Sequence, residues 1–203
     1  GISRTPIRAA LARLEQEGLV KILPSGGYAV RRFSRAEVLD AIELRGVLEG
    51  TAARLAAERG ALPERLAALK DIVEALEGAV ADWPEALDFD RYVELNAAFH
   101  DALAGLAGSE TIRREVERVK NLPFASPSAF LDKQADVPAF RRSLVTGQAQ
   151  HRAIVEAIEM GEGTRAEALA REHARLARAN LEYVMEEDRS LLARVPALAL
   201  VNE

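Results

Sequence analysis

Three histidines, His100, His151 and His173, are the only imidazoles in the chain. Each lies in a stretch with helical apolar spacing, beside Phe99 and Leu103, Ile154 and Ile158, and Leu169 and Leu176 respectively. A lone histidine in such a setting is usually a hydrogen-bonded core residue. Three of them on three helices can converge. Imidazole is a ligand for Zn, Ni, Cu and Fe, and helical bundles build metal sites from inward-facing side chains. Asn96 stands four residues before His100 and so shares its helix face. Its amide oxygen can ligate but carries no charge. A polar pocket without metal fits the same pattern, and both readings stand at this level.

The elements that must hold these residues are helical. Ala, Leu, Arg and Glu dominate 203 residues of which half are hydrophobic and few aromatic, a composition that favours packed helices over sheets. The absence of cysteine excludes disulfides and thiolate metal sites. No uninterrupted apolar stretch is long enough to cross a bilayer, and no signal peptide precedes the first arginine, so a cytoplasmic protein with no membrane partner is expected. Ser34 with Glu37 forms a capping box at the head of a long helix that carries Val38, Ile42, Leu48 and Leu55 and runs to about Gly60. Further helical patterns cover about 63–81, 86–107, 110–122, 138–160 and 165–187. Gly60 and Pro63, Trp83-Pro84, Gly105 and Gly108, Pro123 to Pro127, and Gly161 and Gly163 punctuate them. The C-terminal "ARVPALALVNE" reads as a loose tail or a partner contact.

The beginning of the chain differs from the rest. Residues 1–32 carry six Arg/Lys against two Glu, a net charge of +4, so the overall −5 leaves −9 on the remainder. A basic head on an acidic body suggests that the head meets a polyanion, although a window this short can also be basic by chance. Ser3 or Thr5 can cap a helix whose first turn accepts Pro6, whose stripe is Ile7, Leu11 and Leu14, and which Gly18 ends. Ser3, Arg4, Thr5 and Arg8 crowd its N-terminal end. Hydroxyls and guanidinium groups there suit phosphates and guanine edges. Two β-prone runs, 19–23 and 28–30, flank Pro24-Ser25-Gly26-Gly27 and read as a hairpin.

"SRTPIRAALARLEQEGLVKILPSGGYAV" resembles the recognition helix and wing of the GntR family of bacterial transcription regulators. The resemblance implies a recognition helix in the major groove of a double-stranded DNA operator, with Ser3, Arg4, Thr5 and Arg8 as contacts, and a wing contact at Gly26. A complete winged helix has two further helices before this one. The head, residues 1–32, is therefore expected to be incomplete at its N-terminus, its helix lacking the partners that would bury Ile7, Leu11 and Leu14. "IELRGVLEGTAARLAA", "ELNAAFHDALAGLAGSETI" and "QHRAIVEAIEMGEGTRAEALAREH" resemble the FCD effector domain of the FadR-like branch of that family. This implies an all-α antiparallel bundle over residues 33–203 for effector binding and dimerisation. It also implies one divalent transition metal, Zn or Ni first and Mn or Fe next, on His100, His151 and His173. Asn96 occupies the position where the family pattern has an acid. Arg45 matches an arginine common in this domain and is placed to pair an effector carboxylate. An exposed Arg45 pairing with Glu49 at i, i+4 is the other reading.

The function expected is a metabolite-responsive, homodimeric DNA-binding regulator whose bundle binds a metal and a small carboxylate. Two alternatives remain open. One is a metal-dependent hydrolase, for which Asp101 and Glu172 are the nearest candidate bases, although each points about 100° away from its neighbouring histidine. The other is a metal-free regulator that takes an acyl or lipidic ligand.

Overall fold

The computed structural model describes residues 3–80, 88–122, 124–128, 138–186 and 200–202. Seven helices lie among them: α1 (Arg4–Gln16), α2 (Arg35–Arg59), α3 (Pro63–Val80), α4 (Phe89–Leu106), α5 (Glu110–Lys120), α6 (Pro138–Glu159) and α7 (Gly163–Glu186). An antiparallel hairpin, β1 (Val20–Ile22) and β2 (Tyr28–Val30), follows α1 in the register Val20–Val30 and Ile22–Tyr28. The expected helical segments are thus present. The Trp83-Pro84 break and most of the C-terminal tail lie outside the described residues.

The helix ends follow local chemistry. The Ser34 hydroxyl accepts from the Glu37 N–H at 3.1 Å while the Glu37 carboxylate accepts from the Ser34 N–H at 2.8 Å, so the capping box is complete. Asp88 and Ser109 cap α4 and α5. Gly18 and Gly161 take φ of +74° and +72°. Each closes its helix with the paired six-to-one and five-to-two hydrogen bonds that only a left-handed residue permits, Leu19 to Leu14 and Gly18 to Glu15, Glu162 to Ala157 and Gly161 to Ile158. The second turn makes α6 and α7 a tight hairpin. His151 lies ten residues before Gly161 and His173 twelve after it, so the turn sets the two imidazoles at nearly the same height.

The main core is a cluster drawn from α2, α3, α4, α6 and α7, centred on Leu69, Leu76, Phe99, Leu103 and Ile154, with smaller clusters around Phe33 and Ile42 and around Ala41 and Val119. Helix α2 runs through it with much of its surface covered. Its expected stripe is only partly the buried one, since Val38 and Ile42 are buried while Leu48 and Leu55 are half-buried. Small residues fill the remaining contacts. A Cβ on Gly46 would sit 2.8 Å from the Ala174 Cβ, and one on Gly50 would sit 3.0 Å from both the Glu167 carbonyl oxygen and the Arg171 Cγ. Helices α2 and α7 therefore pack backbone to backbone.

The stripe of α1 is not buried: Ile7 is 46% exposed, Leu11 and Leu14 are half-buried, and no described residue of α1 is buried. Ser3 holds the N-cap position without a side-chain cap bond. The end of the tail is not loose. Strand β4 (Val201–Asn202) pairs in parallel with β3 (Phe33–Ser34), and Leu200 and Val201 pack on Phe33, Val38, Ile42 and Leu181. Residues 33–34 are thereby paired along one edge. Arg31 adds a tie, donating to the Gly18 carbonyl at 3.2 Å and to Glu37 at 2.7 Å.

The glycine contacts yield a paired test. Gly46→Ala forces apart two helices that meet at the backbone and should destabilise by about 1–3 kcal/mol. Gly78→Ala, on an exposed face of α3 with nothing within 4 Å of the added Cβ, should stabilise by about 0.5 kcal/mol. Thermal unfolding of the two variants reads both signs, and a neutral Gly46→Ala would refute the close packing.

Candidate metal centre

His100 comes from α4, His151 from α6 and His173 from α7, and all three are buried. Their Nε2 atoms face one another. His151 Nε2 lies 3.0 Å from His173 Nε2, which lies 3.3 Å from His100 Nε2. The Nδ1 atoms point outward to acceptors: His100 to Glu49 Oε1 at 2.9 Å, His151 to Gln148 Oε1 at 3.2 Å and His173 to Gln150 Oε1 at 3.0 Å. Phe99 lies against the His151 ring, with centroids 4.1 Å apart.

These partners fix the tautomers. The Gln148 amide nitrogen donates to the Val73 carbonyl at 2.9 Å and to Glu77 at 3.1 Å, so its Oε1 is left to accept from His151. An ionised Glu49 can only accept. The Nδ1 atoms of His100 and His151 therefore carry the proton; with the Gln150 amide oxygen accepting from His173 in the same way, each Nε2 presents a lone pair to the same small space. Lone pairs at 3.0–3.3 Å repel unless a cation lies between them. Metal-ligating imidazoles are commonly oriented in this way, by an acceptor on the far nitrogen. The spacing also suits an ion: bonds of about 2.0–2.1 Å set ligand nitrogens about 3.3–3.4 Å apart in a tetrahedron and about 2.9–3.0 Å apart in an octahedron.

Beside the histidines is a cavity of about 50 Å³, lined among others by Arg45, Asn96, His100, Ser143, His173 and Asn180. Asn96 is buried on α4 and donates from Nδ2 to the Ser128 hydroxyl at 3.5 Å. Arg45 is 2% exposed, not on the surface. It pairs with Glu49, Nη1 to Oε2, at 3.4 Å. Its Nε is buried without a hydrogen-bond partner among the described residues. An unsatisfied buried donor costs free energy and is the mark of a site that takes an acceptor.

The residues that sequence reasoning left out are the three acceptors, Glu49 above all. It is 1% exposed and is the sole buried carboxylate among the described residues. Burial opposes its ionisation, but its interactions with His100 and Arg45, the His100 hydrogen bond among them, outweigh that and pull it down to about 2. The i, i+4 spacing to Arg45 was the available signal, and it reads more naturally as a surface pair. The candidate bases of the hydrolase reading face outward: Asp101 pairs with Lys120, and Glu172 with Arg175 at 3.1 Å, both exposed. At the head, Arg4, Thr5 and Arg8 are exposed on the first turns of α1, and Gly26, at φ +83°, lies in the hairpin turn with open space around it.

Burial, with His100 and Arg45, pushes His173 down to about 3; burial and the other two histidines push His151 well below 6.5. Both are neutral when folded and take a proton near pH 6.5 when unfolded. Their stabilising contribution is therefore complete above about pH 6.5 and is lost as pH falls toward 3. Glu49 adds a loss below about 4.5. With chelator present, unfolding free energy should fall from about pH 6.5 downward by roughly 1.4 kcal/mol per pH unit for each histidine. Denaturant midpoints that do not move between pH 7 and 5 would contradict the buried neutral pair.

The FCD domain family matches residues 40–176, which include all three histidines. An HTH-type transcriptional regulator in an unstable DNA locus of Streptomyces ambofaciens is 30% identical over 194 residues, 95% of this chain and 76% of that protein. Among solved structures, Escherichia coli McbR/YncC superposes with a TM-score of 0.65 at 20% identity, covering 89% of this chain and 81% of the other. A GntR family member from Pseudomonas syringae pv. tomato gives a TM-score of 0.58 at 24% identity, covering 94% and 74%. The Streptomyces relative is a transcriptional regulator and not an enzyme, and the hydrolase alternative is set aside with it. The chain belongs to the FCD domain family of HTH-type transcriptional regulators.

Proposed function

We propose that this regulator is a metal-centred sensor of a small carboxylate. His100, His151 and His173 hold one divalent transition-metal ion, Zn or Ni before Mn or Fe, with the Asn96 amide oxygen beside them. The observation that carries this reading is the set of three Nε2 lone pairs aimed at one point while every Nδ1–H is engaged elsewhere. Such an ion serves as a Lewis acid on which an anion can complete the coordination.

The cavity supports the effector class. On the measure by which one water takes about 10–15 Å³, 50 Å³ has room for about three to five non-hydrogen atoms. That suits a carboxylate of two or three carbons and is far too small for an acyl chain. Arg45 supplies the buried guanidinium for it, with an Nε donor to spare.

The output is operator binding. Ser3, Arg4, Thr5 and Arg8 on α1 and Gly26 on the wing contact double-stranded DNA, in a cytoplasmic homodimer that reads paired half-sites. The head comprises residues 1–32 and the effector unit residues 33–203. Helix α2 supports a coupling between them, since Glu37 at its start takes the Arg31 tie and Arg45, eight residues on, lines the cavity. A carboxylate that binds better at one position of α2 shifts the heads by that difference in affinity.

Elemental analysis by plasma mass spectrometry, with native mass spectrometry of the same sample, tests the centre. Protein purified without nickel resin or chelator should carry about one metal ion per chain, and His151→Ala should lose it. Metal-free protein that also takes none up on titration with Zn, Ni, Mn or Fe would overturn the sensor reading and leave the family assignment standing.

A further inference from the structure

The proposed centre has a charge problem. Three neutral imidazoles and an amide leave a divalent ion with its full charge, and Arg45 adds another positive charge in the same buried region. Buried charge without a counter-charge is strongly unfavourable. Asn96 removes the obvious remedy, an acidic ligand in the first position.

We infer that Glu49, through its hydrogen bond to His100 Nδ1 and its loose contact with Arg45, is the counter-charge of the metal centre, whose other nearby ligand group, the Asn96 amide, carries no charge. The inference rests on the metal-binding reading above. Three observations carry it. Glu49 is the sole buried carboxylate among the described residues. It accepts from His100 Nδ1 at 2.9 Å, which fixes the tautomer and makes Nε2 a stronger donor to a cation. Its other oxygen reaches Arg45 Nη1 only at 3.4 Å, a weak contact that leaves Arg45 uncommitted.

The geometry also divides the labour on α2. Glu49 and Arg45 are one turn apart, so one carboxylate serves two cations in sequence, the imidazole-bound ion and the guanidinium. Because the Arg45 Nε is unpaired, an incoming anion can engage Arg45 without withdrawing Glu49 from His100. Glu49 is a positioning residue: it acts on the ion through His100.

The test is zinc alone, titrated into metal-stripped full-length chain against a chromophoric chelator, with far-ultraviolet circular dichroism as the folding control. Glu49→Gln keeps the shape and the acceptor oxygen but removes the charge. It should weaken zinc binding about 10–100-fold at unchanged stoichiometry. Asn96→Asp should raise zinc affinity at least tenfold more in that background than in the otherwise unchanged chain, a non-additivity that a merely structural role of Glu49 would not give. Glu49→Gln leaves Arg45 unbalanced, so the comparison is repeated between Arg45→Gln and Arg45→Gln/Glu49→Gln, where no buried guanidinium remains. The double variant should again bind zinc more weakly than its parent. Wild-type affinity in Glu49→Gln, equal affinity in the second pair, or an equal gain from Asn96→Asp in both backgrounds would overturn the role of Glu49 while the metal centre stood. Failure of the wild-type chain to bind zinc, nickel, manganese or iron would remove the centre itself and this inference with it.

Discussion

Three imidazole lone pairs directed at one point are the constraint around which the bundle is arranged. No neutral core gains from that arrangement. It persists because each ring is held from behind, by Glu49, Gln148 and Gln150, and because the rings stand on three different helices locked by apolar packing. The holding residues are themselves held. Gln148 is oriented by the Val73 carbonyl and Glu77 on α3, a helix that carries no histidine. The centre therefore draws on every helix of the main core, and a displaced α3 would be felt at His151 through one amide.

Helix α2 is the second organising element. Its glycines let α7 approach so closely that a single methyl group would clash, and that approach lines up Arg45 and Glu49 with His173 and His100. The same helix begins at the capping box, takes the Arg31 tie from the wing and starts immediately after the strand that pairs with the chain's end. One rigid rod thus spans from the head to the cavity. The close packing has a mechanical consequence. Backbones in contact can slide or turn against each other but cannot come closer, so the motions open to α2 are few.

Much of this could be read from the residues. Glycine and proline marked most helix boundaries, Ser34 and Glu37 announced their capping box, and three histidines in a chain with no others drew attention to three helices. What stayed hidden had physical causes. Helix α2 is rich in Ala and Gly, so its apolar pattern did not reveal how much of its surface is covered. For that reason Arg45 and Glu49 looked like an ordinary surface pair. The α1 stripe shows that periodicity states only that a face is apolar and not that anything covers it. The parallel pairing of β3 with β4 joins residues about 170 apart in sequence and left no local signal.

The distribution of charge explains why an anion is the suitable signal for such a centre. On the proposed reading the pocket contains a divalent ion and Arg45, offset by Glu49 alone, so a net positive charge remains next to a cavity of a few atoms. A neutral ligand of that size gains little from the apolar wall, since three to five atoms bury little surface. A carboxylate gains from both cations in a region where water does not screen them. Its two oxygens also span two supports: Arg45 belongs to α2, while Ser143, His173 and Asn180 belong to α6 and α7. A ligand that bridges the two sides favours one position of α2 over others, and it is this difference, not the tightness of binding, that can be passed to the head.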